Sequence, residues 1–324
     1  MEISRELLPV SRLQGSHYST LVKALSNVLD TAVARTTYGQ ILDGLPLSSV
    51  AFDVYAGEVV CPGHPLLDEH LELSPDVLAK FDELRATAPP DTFEVDASTI
   101  LEYQAASPGS RAFQTRLIEL VARVVHAIAV WVYKTQGPLR PKDDRLMAWR
   151  PDKDGSEAIR KYFYRNGFPP TFFVHPWYKA YDQYPDGVAD GVGYWAEDRI
   201  LGGVTDAVFF HTNAYKVFYR IYRLRDDQKQ QLLQFLLSDA PPPGSCPLPI
   251  HGDKDNRVRV DPEEPISETG IYRDKWERKP LTEDDTDMRT KDVVDTFNYV
   301  SVEDYKAAIL RGWAFRDRLS DDGQ

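Results

Sequence analysis

The chain has 324 residues and a formal net charge of −12, with 42% hydrophobic and 27% charged residues. This composition is typical of a globular protein with a substantial core, and it excludes disorder for most of the chain. The negative charge argues against a nucleic-acid partner, because binding to a phosphate backbone requires an excess of Lys and Arg.

The first half of the sequence predicts helices. Apolar residues recur at three- and four-residue spacing from Tyr18 to Arg35, which is typical of an amphipathic helix. Ser74 and Pro75 are residue types preferred at the N-cap and at the first helical position, so they predict a helix that ends near Thr87. The segment from Arg111 to Tyr133 is apolar on nearly every side, and we expect it to lie in the middle of the domain.

The second half predicts a mixture of strands and helices. Gly202 and Gly203 separate two runs that we interpret as strands joined by a turn, and regular alternation of side chains predicts a third strand. The predicted elements are a short helix at 156–165, strands at 194–201, 206–211 and 215–222, and helices at 226–237 and 302–318. Asp226 or Asp227 is the predicted N-cap of the helix at 226–237.

These elements predict an α+β fold, with a helical N-terminal half and a small antiparallel β-sheet flanked by C-terminal helices. We expect a helical lobe at 1–165 and an α+β lobe at 166–324, joined as one continuous domain. Residues 247–291 show no sustained period, so we expect a long irregular arm whose anchors, such as Trp276, lie on the body of the fold. The arm is also where we expect a homo-oligomer to form, if one exists.

Aromatic residues are concentrated between Tyr162 and Tyr222, which holds 18 of the 37 in the chain. Part of this segment, from Phe172 to His211, also contains histidines, acids and glycines. Burial shifts titratable groups toward neutral pH, where they transfer protons well. The candidate proton-transfer residues are His175, His211, Glu197, Asp198 and Asp206. The candidate walls of a substrate pocket are Trp177, Tyr178, Tyr194 and Trp195.

The leading functional hypothesis is therefore a small-molecule enzyme without an organic cofactor. It would act by acid–base catalysis on an apolar or aromatic substrate, as an isomerase, cyclase or dehydratase. The alternative is a non-catalytic binding or scaffold protein, in which the aromatic segment is core plus one partner-facing patch. In that case the arm at 247–291 would reach the partner or a second copy of the chain.

Two groups contain residue types that bind metals, and the sequence does not decide whether either group binds one. Cys61, His64 and His70 lie close together, but a tetrahedral zinc site needs a fourth ligand and tighter paired spacing. His251 and Asp253 resemble the first two ligands of an iron facial triad, but no histidine follows them in the chain. Loop residues that bind no metal are the preferred interpretation.

Two further motifs are weak. The run from Gly191 to Ala196 matches a G-x-G-x-x-A variant of the dinucleotide fingerprint, but residue types typical of a turn precede it, where a buried strand is required. We interpret it as a glycine-rich turn. The acidic run from Glu283 to Asp287 resembles a magnesium motif, but it lies in the irregular arm, and a solvated loop is the preferred interpretation.

The sequence also predicts a compartment. Only two cysteines occur, Cys61 and Cys246, which is typical of proteins in the reducing cytoplasm. No signal peptide is visible in residues 1–15, and the longest apolar run, Val124–Val132, is far shorter than a membrane span. We therefore expect a cytoplasmic protein without membrane contact.

Three segments resemble a group of uncharacterised cytosolic proteins from filamentous fungi. The segments are Tyr194–Val204, Ile271–Arg278 and Asp292–Asp295, and the resemblance covers mainly the C-terminal part of the chain. It implies a fungal source and a place in specialised metabolism, and it transfers no catalytic residue.

Overall fold

Helices and two small antiparallel sheets build an α+β fold, as the sequence predicts. The structure is a computed structural model that describes residues 6–51, 60, 63–140, 143–149, 170–175, 178–205, 209–211, 221–252, 255–256, 259–260, 273–274, 276–277, 302–303, 306–307 and 310.

The N-terminal part is helical. Its helices are α1 (Gly15–Leu29), α2 (Ala32–Asp43), α3 (Ser48–Ala51), α4 (Leu66–Glu69), α5 (Pro75–Thr87), α6 (Ala97–Ala105) and α7 (Arg111–Trp131). The predicted start of α5 is confirmed, because the Ser74 hydroxyl accepts a hydrogen bond from the amide of Val77 and Pro75 is the first helical residue. The single helix predicted from Tyr18 to Arg35 is wrong. Thr31 interrupts it, since its hydroxyl caps α2 by accepting from the amide of Ala34 at 3.2 Å.

Helix α7 lies at the centre of the protein, as its apolar sequence predicts. Fourteen of its residues are buried, and it continues as a π-helix over Val132–Gln136 before Gly137. In the described part of the chain it is followed by α8 (Asp144–Ala148), α9 (Val188–Leu201) and α10 (Asp226–Leu237). Helix α9 packs directly on α7.

The strand predicted at 194–201 is wrong, because these residues form the C-terminal half of α9. Helix α9 is buried on almost every side, so its sequence has no polar face from which a helical period could be recognised. The glycine-rich turn predicted at Gly191–Ala196 is wrong for the same reason, since it lies inside α9. A dinucleotide fingerprint requires a loop at this place, and the helix leaves no such loop.

The two sheets are small and antiparallel. Strands β1 (Leu7–Pro9) and β2 (Glu94–Asp96) pair with each other near the N-terminus. The second sheet has the order β3 (Val204–Thr205), β4 (Phe209–His211), β5 (Ile221–Arg223) and β6 (Arg259–Val260). The antiparallel sheet predicted for the second half is thus confirmed, although its strands are shorter than expected.

The predicted helices near the C-terminus are confirmed where the structure describes them, but the predicted N-cap at Asp226 or Asp227 is wrong. Helix α10 has the predicted bounds, but its N-cap is Arg225, and Asp226 and Asp227 lie in the first turn. Of the last predicted helix, the described residues 302–303, 306–307 and 310 are helical. The predicted helix at 156–165 and most of the strand at 215–222 lie outside the described residues.

One hydrophobic core joins the two lobes predicted from the sequence. It contains residues of α1, α2 and α7 together with Val192, Trp195 and Ile200 of α9 and Leu232 of α10. In the arm, Trp276 is buried against Tyr178, Tyr184 and Tyr194, where the sequence predicts an anchor.

The end of α9 gives a test of the packing. Gly202 is its C-cap, with a φ of 99°, and a Cβ at this position would collide with the carbonyl oxygen of Ile250. We expect Gly202→Ala to lower the free energy of unfolding by at least about 3 kcal/mol, because backbone strain and a backbone clash add. Urea denaturation measures the change.

Gly244 supplies the matched control, since its φ is 79° and no atom lies within 4 Å of a Cβ built on it. Gly244→Ala should therefore lose only the strain of the left-handed conformation, about 1–2 kcal/mol. Equal losses in the two variants would contradict the clash at Gly202.

Candidate functional site

The imidazole of His126, on α7, lies between two carboxylates of α9. Its Nε2 is 2.9 Å from Oδ1 of Asp190, and its Nδ1 is 2.9 Å from Oε1 of Glu197. The two acids stand seven residues apart, which places them on the same side of a helix and separates their backbones by about 10 Å along its axis. The carboxylates of successive turns therefore reach the two ring nitrogens from opposite sides.

This geometry fixes the protonation state of His126. An ionised carboxylate can only accept hydrogen bonds, so each ring nitrogen must donate and the ring is an imidazolium. Burial would lower the pKa of His126, but the hydrogen bonds and charges of Asp190 and Glu197 outweigh burial and raise it above the ordinary value. The two carboxylates therefore favour the charged form of the ring.

Arg273, from the C-terminal arm, completes the neutralisation of Glu197. Its guanidinium binds both carboxylate oxygens, with Nη2 at 2.8 Å from Oε1 and Nη1 at 3.0 Å from Oε2. Burial would raise the pKa of Glu197, but Arg273 and then His126 hold it below the usual range. The same guanidinium lies over the ring of Tyr194, 5.9 Å from its centroid.

Glu277 is a second acid that binds Arg273, and together with His126, Asp190 and Glu197 they form one buried network. It accepts from the Arg273 amide at 2.9 Å and from the Arg273 guanidinium at 3.2 Å. Burial nevertheless dominates, and together with Asp274 and Glu197 it raises the pKa of Glu277 to about 7. Glu277 therefore changes charge near neutrality inside the protein.

Two glycines of α9 leave the space that this arrangement needs. A Cβ on Gly193 would lie 2.5 Å from Cε1 of the His126 ring, and a Cβ on Gly191 would collide with the ring of Tyr181. The motif that resembles a dinucleotide fingerprint is thus explained by helix packing. Gly193 lies between Asp190 and Glu197 in sequence, so the ring sits over the residue that lacks a side chain.

The network opens on a cleft of about 260 Å³ between the β1–β2 sheet, the C-terminal half of α7 and the start of α9. His126 and Asp190 lie on its polar side. Its apolar side is formed by Leu7, Phe93, Val95, Ala127, Val130 and Trp131. Two of these are aromatic, and the rings of Phe93 and Trp131 meet edge to face at 5.7 Å. At the rim, Lys134 forms an ion pair with Asp186.

The structure brings together some of the residues that the sequence singles out. Glu197 belongs to the network around His126. Asp198 faces the other side of α9, where its Oδ1 is 4.0 Å from Nε2 of His175. His175 is almost fully buried and packs edge to face on Tyr178. This second pair does not border the cleft. Glu197 and Asp198 lie in a helix, so neither belongs to a strand that pairs with the one predicted at 206–211.

The other predicted site residues are placed as follows. Tyr178 stacks on Tyr194 with centroids 4.2 Å apart, and Trp195 packs on Phe173, so these rings belong to the core. His211 lies in β4, and its side chain lies outside the described residues, as do Asp206 and Trp177.

The metal-ligand candidates have other partners. Nε2 of His64 is 3.1 Å from the carbonyl of Leu146, and His70 lies between the carbonyl of Pro46 and Asp43, at 2.8 and 2.9 Å. His251 is exposed, and Cys61 and Asp253 lie outside the described residues. Within the part of the chain that the structure describes, no three His, Cys, Asp or Glu side chains are grouped so that they could hold a metal ion.

Sequence reasoning missed His126, Asp190 and Arg273, although two of them carry a recognisable signal. The polar residues of α7 that interrupt its apolar surface are spaced by three, four and three positions, and they are Arg116, Glu119, Arg123 and His126. Such spacing places them on one face. Asp190, Gly193 and Glu197 show the same spacing on α9. Nothing comparable marks Arg273.

Comparison with known proteins does not place this chain in a family. A scan against protein-family models and searches of curated proteins and of solved structures found no match to this chain. The resemblance to fungal proteins therefore stays a prediction. Among the described helices, none is both long enough and apolar enough to cross a membrane.

The contact between Gly193 and His126 can be tested by adding a methyl group. Gly193→Ala should lower the free energy of unfolding by about 1–3 kcal/mol, because the crowded atoms belong to a ring held at both nitrogens. Urea denaturation measures the loss, and ¹⁵N NMR of the imidazole shows whether the ring has left its two carboxylates.

Gly39→Ala is the control on another buried helix. Its Cβ would meet Cδ1 of Leu73, the far end of a flexible side chain, at 2.8 Å. We expect a change within about 1 kcal/mol of zero, because helix propensity favours Ala over Gly by about that amount. If Gly193→Ala were as stable as Gly39→Ala, the packing argument would be wrong.

Glu277 predicts a pH dependence of stability. Its pKa is raised in the folded protein, so its proton favours the folded state below about pH 4.5 and this contribution is lost as pH rises through about 7. The free energy of unfolding of the wild type, relative to Glu277→Gln, should therefore fall between these values with a slope approaching about 1.4 kcal/mol per pH unit.

The measurement is urea denaturation of both proteins across this pH range. Glu83→Gln, at an exposed position of α5, is the matched control and should leave the pH profile of the wild type unchanged. Parallel profiles for wild type and Glu277→Gln would rule out a titration of Glu277 near neutrality.

Proposed function

We propose that this protein is an enzyme that acts on a small apolar or aromatic molecule by proton transfer, with Asp190 and His126 as the proton-transfer pair. The observation that carries the proposal is the hydrogen-bonded series Asp190–His126–Glu197, whose outer end borders an apolar cleft. A buried histidine between two carboxylates, next to a concave site, is an arrangement in which general acid–base catalysis occurs.

Asp190 is the group that meets the substrate in this proposal. Its Oδ1 accepts from His126, and its Oδ2 accepts from the amide of Asp186 at 2.7 Å. Asp190 lines the cleft, and an ionised carboxylate is a base, so Asp190 can take a proton from a molecule in the cleft. Once Asp190 is protonated, His126 can give its Nε2 proton to another atom of the substrate, and the proton held by Asp190 then passes to Nε2, which restores the carboxylate and the imidazolium. Isomerisation and dehydration require this exchange of protons.

The walls of the cleft support the class of substrate. Phe93, Val95, Val130 and Trp131 offer apolar surface, and aromatic rings favour a flat ligand. The volume, about 260 Å³, is slightly below that of typical ligand pockets and therefore limits the substrate to a small molecule. The alternative of a scaffold protein places the arm on a partner, but Arg273, Trp276 and Glu277 are buried in their own chain.

The low cysteine content supports a further part of the proposal, that the enzyme works in the reducing cytoplasm. The resemblance to fungal proteins supports a place in specialised metabolism. Neither point bears on which atoms of the substrate exchange protons.

Isotope exchange tests the chemistry without knowledge of the substrate. The protein is incubated in D₂O with a metabolite extract of a filamentous fungus, and mass spectrometry detects the compounds that gain deuterium or change. We expect at least one small apolar compound to react with the wild type, and Asp190→Asn to slow this reaction by at least about 100-fold, because proton transfer by a positioned group contributes 10²–10⁴ in rate.

Two further variants separate chemistry from folding. Ala127→Leu fills the cleft from a residue that takes no part in the hydrogen-bonded series and should also lower the rate. His17→Gln, at a buried histidine bound to the carbonyl of Ala106, should not. Circular dichroism checks the fold of each. The proposal fails if no compound reacts, or if Asp190→Asn reacts as fast as the wild type.

A further inference from the structure

A second concavity, which we call the basic groove, lies between the first turns of α7 and the exposed side of α10. It has a volume of about 1060 Å³ and shares no lining residue with the cleft at His126. The two sites lie along the same helix, and the distance from Arg111 to His126 along α7 is about 20 Å. The groove is therefore a separate site.

The lining of the basic groove is positive in a protein whose net charge is −12. Four cations, Arg111, Arg116, Arg223 and Lys229, line it together with one carboxylate, that of Asp226. Arg116 is neutralised, because Glu102 and Glu119 both bind its guanidinium. Among the described residues, no carboxylate lies within ion-pair distance of the other three cations. These three like charges line one groove, and within the described part of the chain Asp226 is the carboxylate that shares it with them.

Lys229 is the groove cation on which the repulsion by Arg111 and Arg223 is visible. It is half-buried, and its Nζ donates to the hydroxyl of Thr115 at 3.1 Å, which satisfies one of its three protons. Burial and the neighbouring Arg111 and Arg223 lower the pKa of Lys229, and Asp226 offsets this only in part. An anion placed among the three cations would remove the repulsion between them.

We infer that the basic groove binds a small molecule that carries two or more phosphate groups. Guanidinium groups bind phosphate oxygens in pairs, and a lysine adds a point charge, so Arg111, Arg223 and Lys229 form a suitable set for more than one phosphate. The amides of Gln114, Gln230 and Gln234 offer neutral donors beside them. A long polyanion would extend beyond the groove and meet the negative remainder of the protein, so a compact ligand is favoured.

Isothermal titration calorimetry with inorganic triphosphate tests this inference. We expect binding at low ionic strength that is tighter for triphosphate than for phosphate, because only the longer anion reaches several cations. The double variant Arg111→Gln/Arg223→Gln should lower the association constant by at least about tenfold. Lys229→Met, which keeps the apolar stem, should lower it as well.

The control removes two positive charges elsewhere. Arg35→Gln/Arg85→Gln breaks ion pairs with Asp82 and Asp30 outside the groove and changes the net charge equally. It should bind triphosphate as the wild type does. Equal loss in the two double variants would show binding to net charge alone and overturn the inference. Absence of binding, or tighter binding of a hexaglutamate peptide than of triphosphate, would overturn it too.

Discussion

The packing of α9 on α7 depends on the hydrogen bonds between the imidazolium of His126 and its two carboxylates. A charged ring inside a core is stable only when its charge is matched and both of its protons are bound. Asp190 and Glu197 supply both partners from one helix, and Gly193 leaves room for the ring between them. The register of α9 against α7 is therefore set, since a shift by one residue would bring a side chain onto the ring and move both acids away.

Two acids around one imidazolium leave a negative charge to be balanced, and Arg273 balances it. The charges of Asp190, Glu197, His126 and Arg273 sum to zero when all four are ionised. This explains why the charged side chain of Arg273 is buried beside α9. Glu277 adds an acid that the sum does not need, so burial prevails and its pKa rises to about 7. Buried ion pairs can specify one arrangement of packed segments even though their net contribution to stability is often small.

The sequence could predict those elements whose ends are set by local chemistry. Ser74 and Pro75 start α5, and the apolar run after Arg111 forms α7, because capping and periodicity act within a few residues. Helix α9 could not be recognised in this way. It is buried all round, and Gly202, which ends it in a left-handed conformation, has the same sequence signature as a hairpin turn.

The candidate site could be predicted only in part. The sequence shows the regular spacing of its polar residues on each helix, but the contacts between the helices are long-range. The spacing of Arg116, Glu119, Arg123 and His126 marks one face of α7, but pairing that face with α9 and Arg273 requires the fold. On a buried helix each of these charges must find a partner, so Arg116 binds Glu119, and Glu119 binds Arg123. The row begins at Arg116 in the basic groove and ends at His126 in the cleft. Carboxylates outside the row bind both of its ends, Glu102 at Arg116 and Asp190 at His126, so one polar stripe of α7 connects the two concave sites.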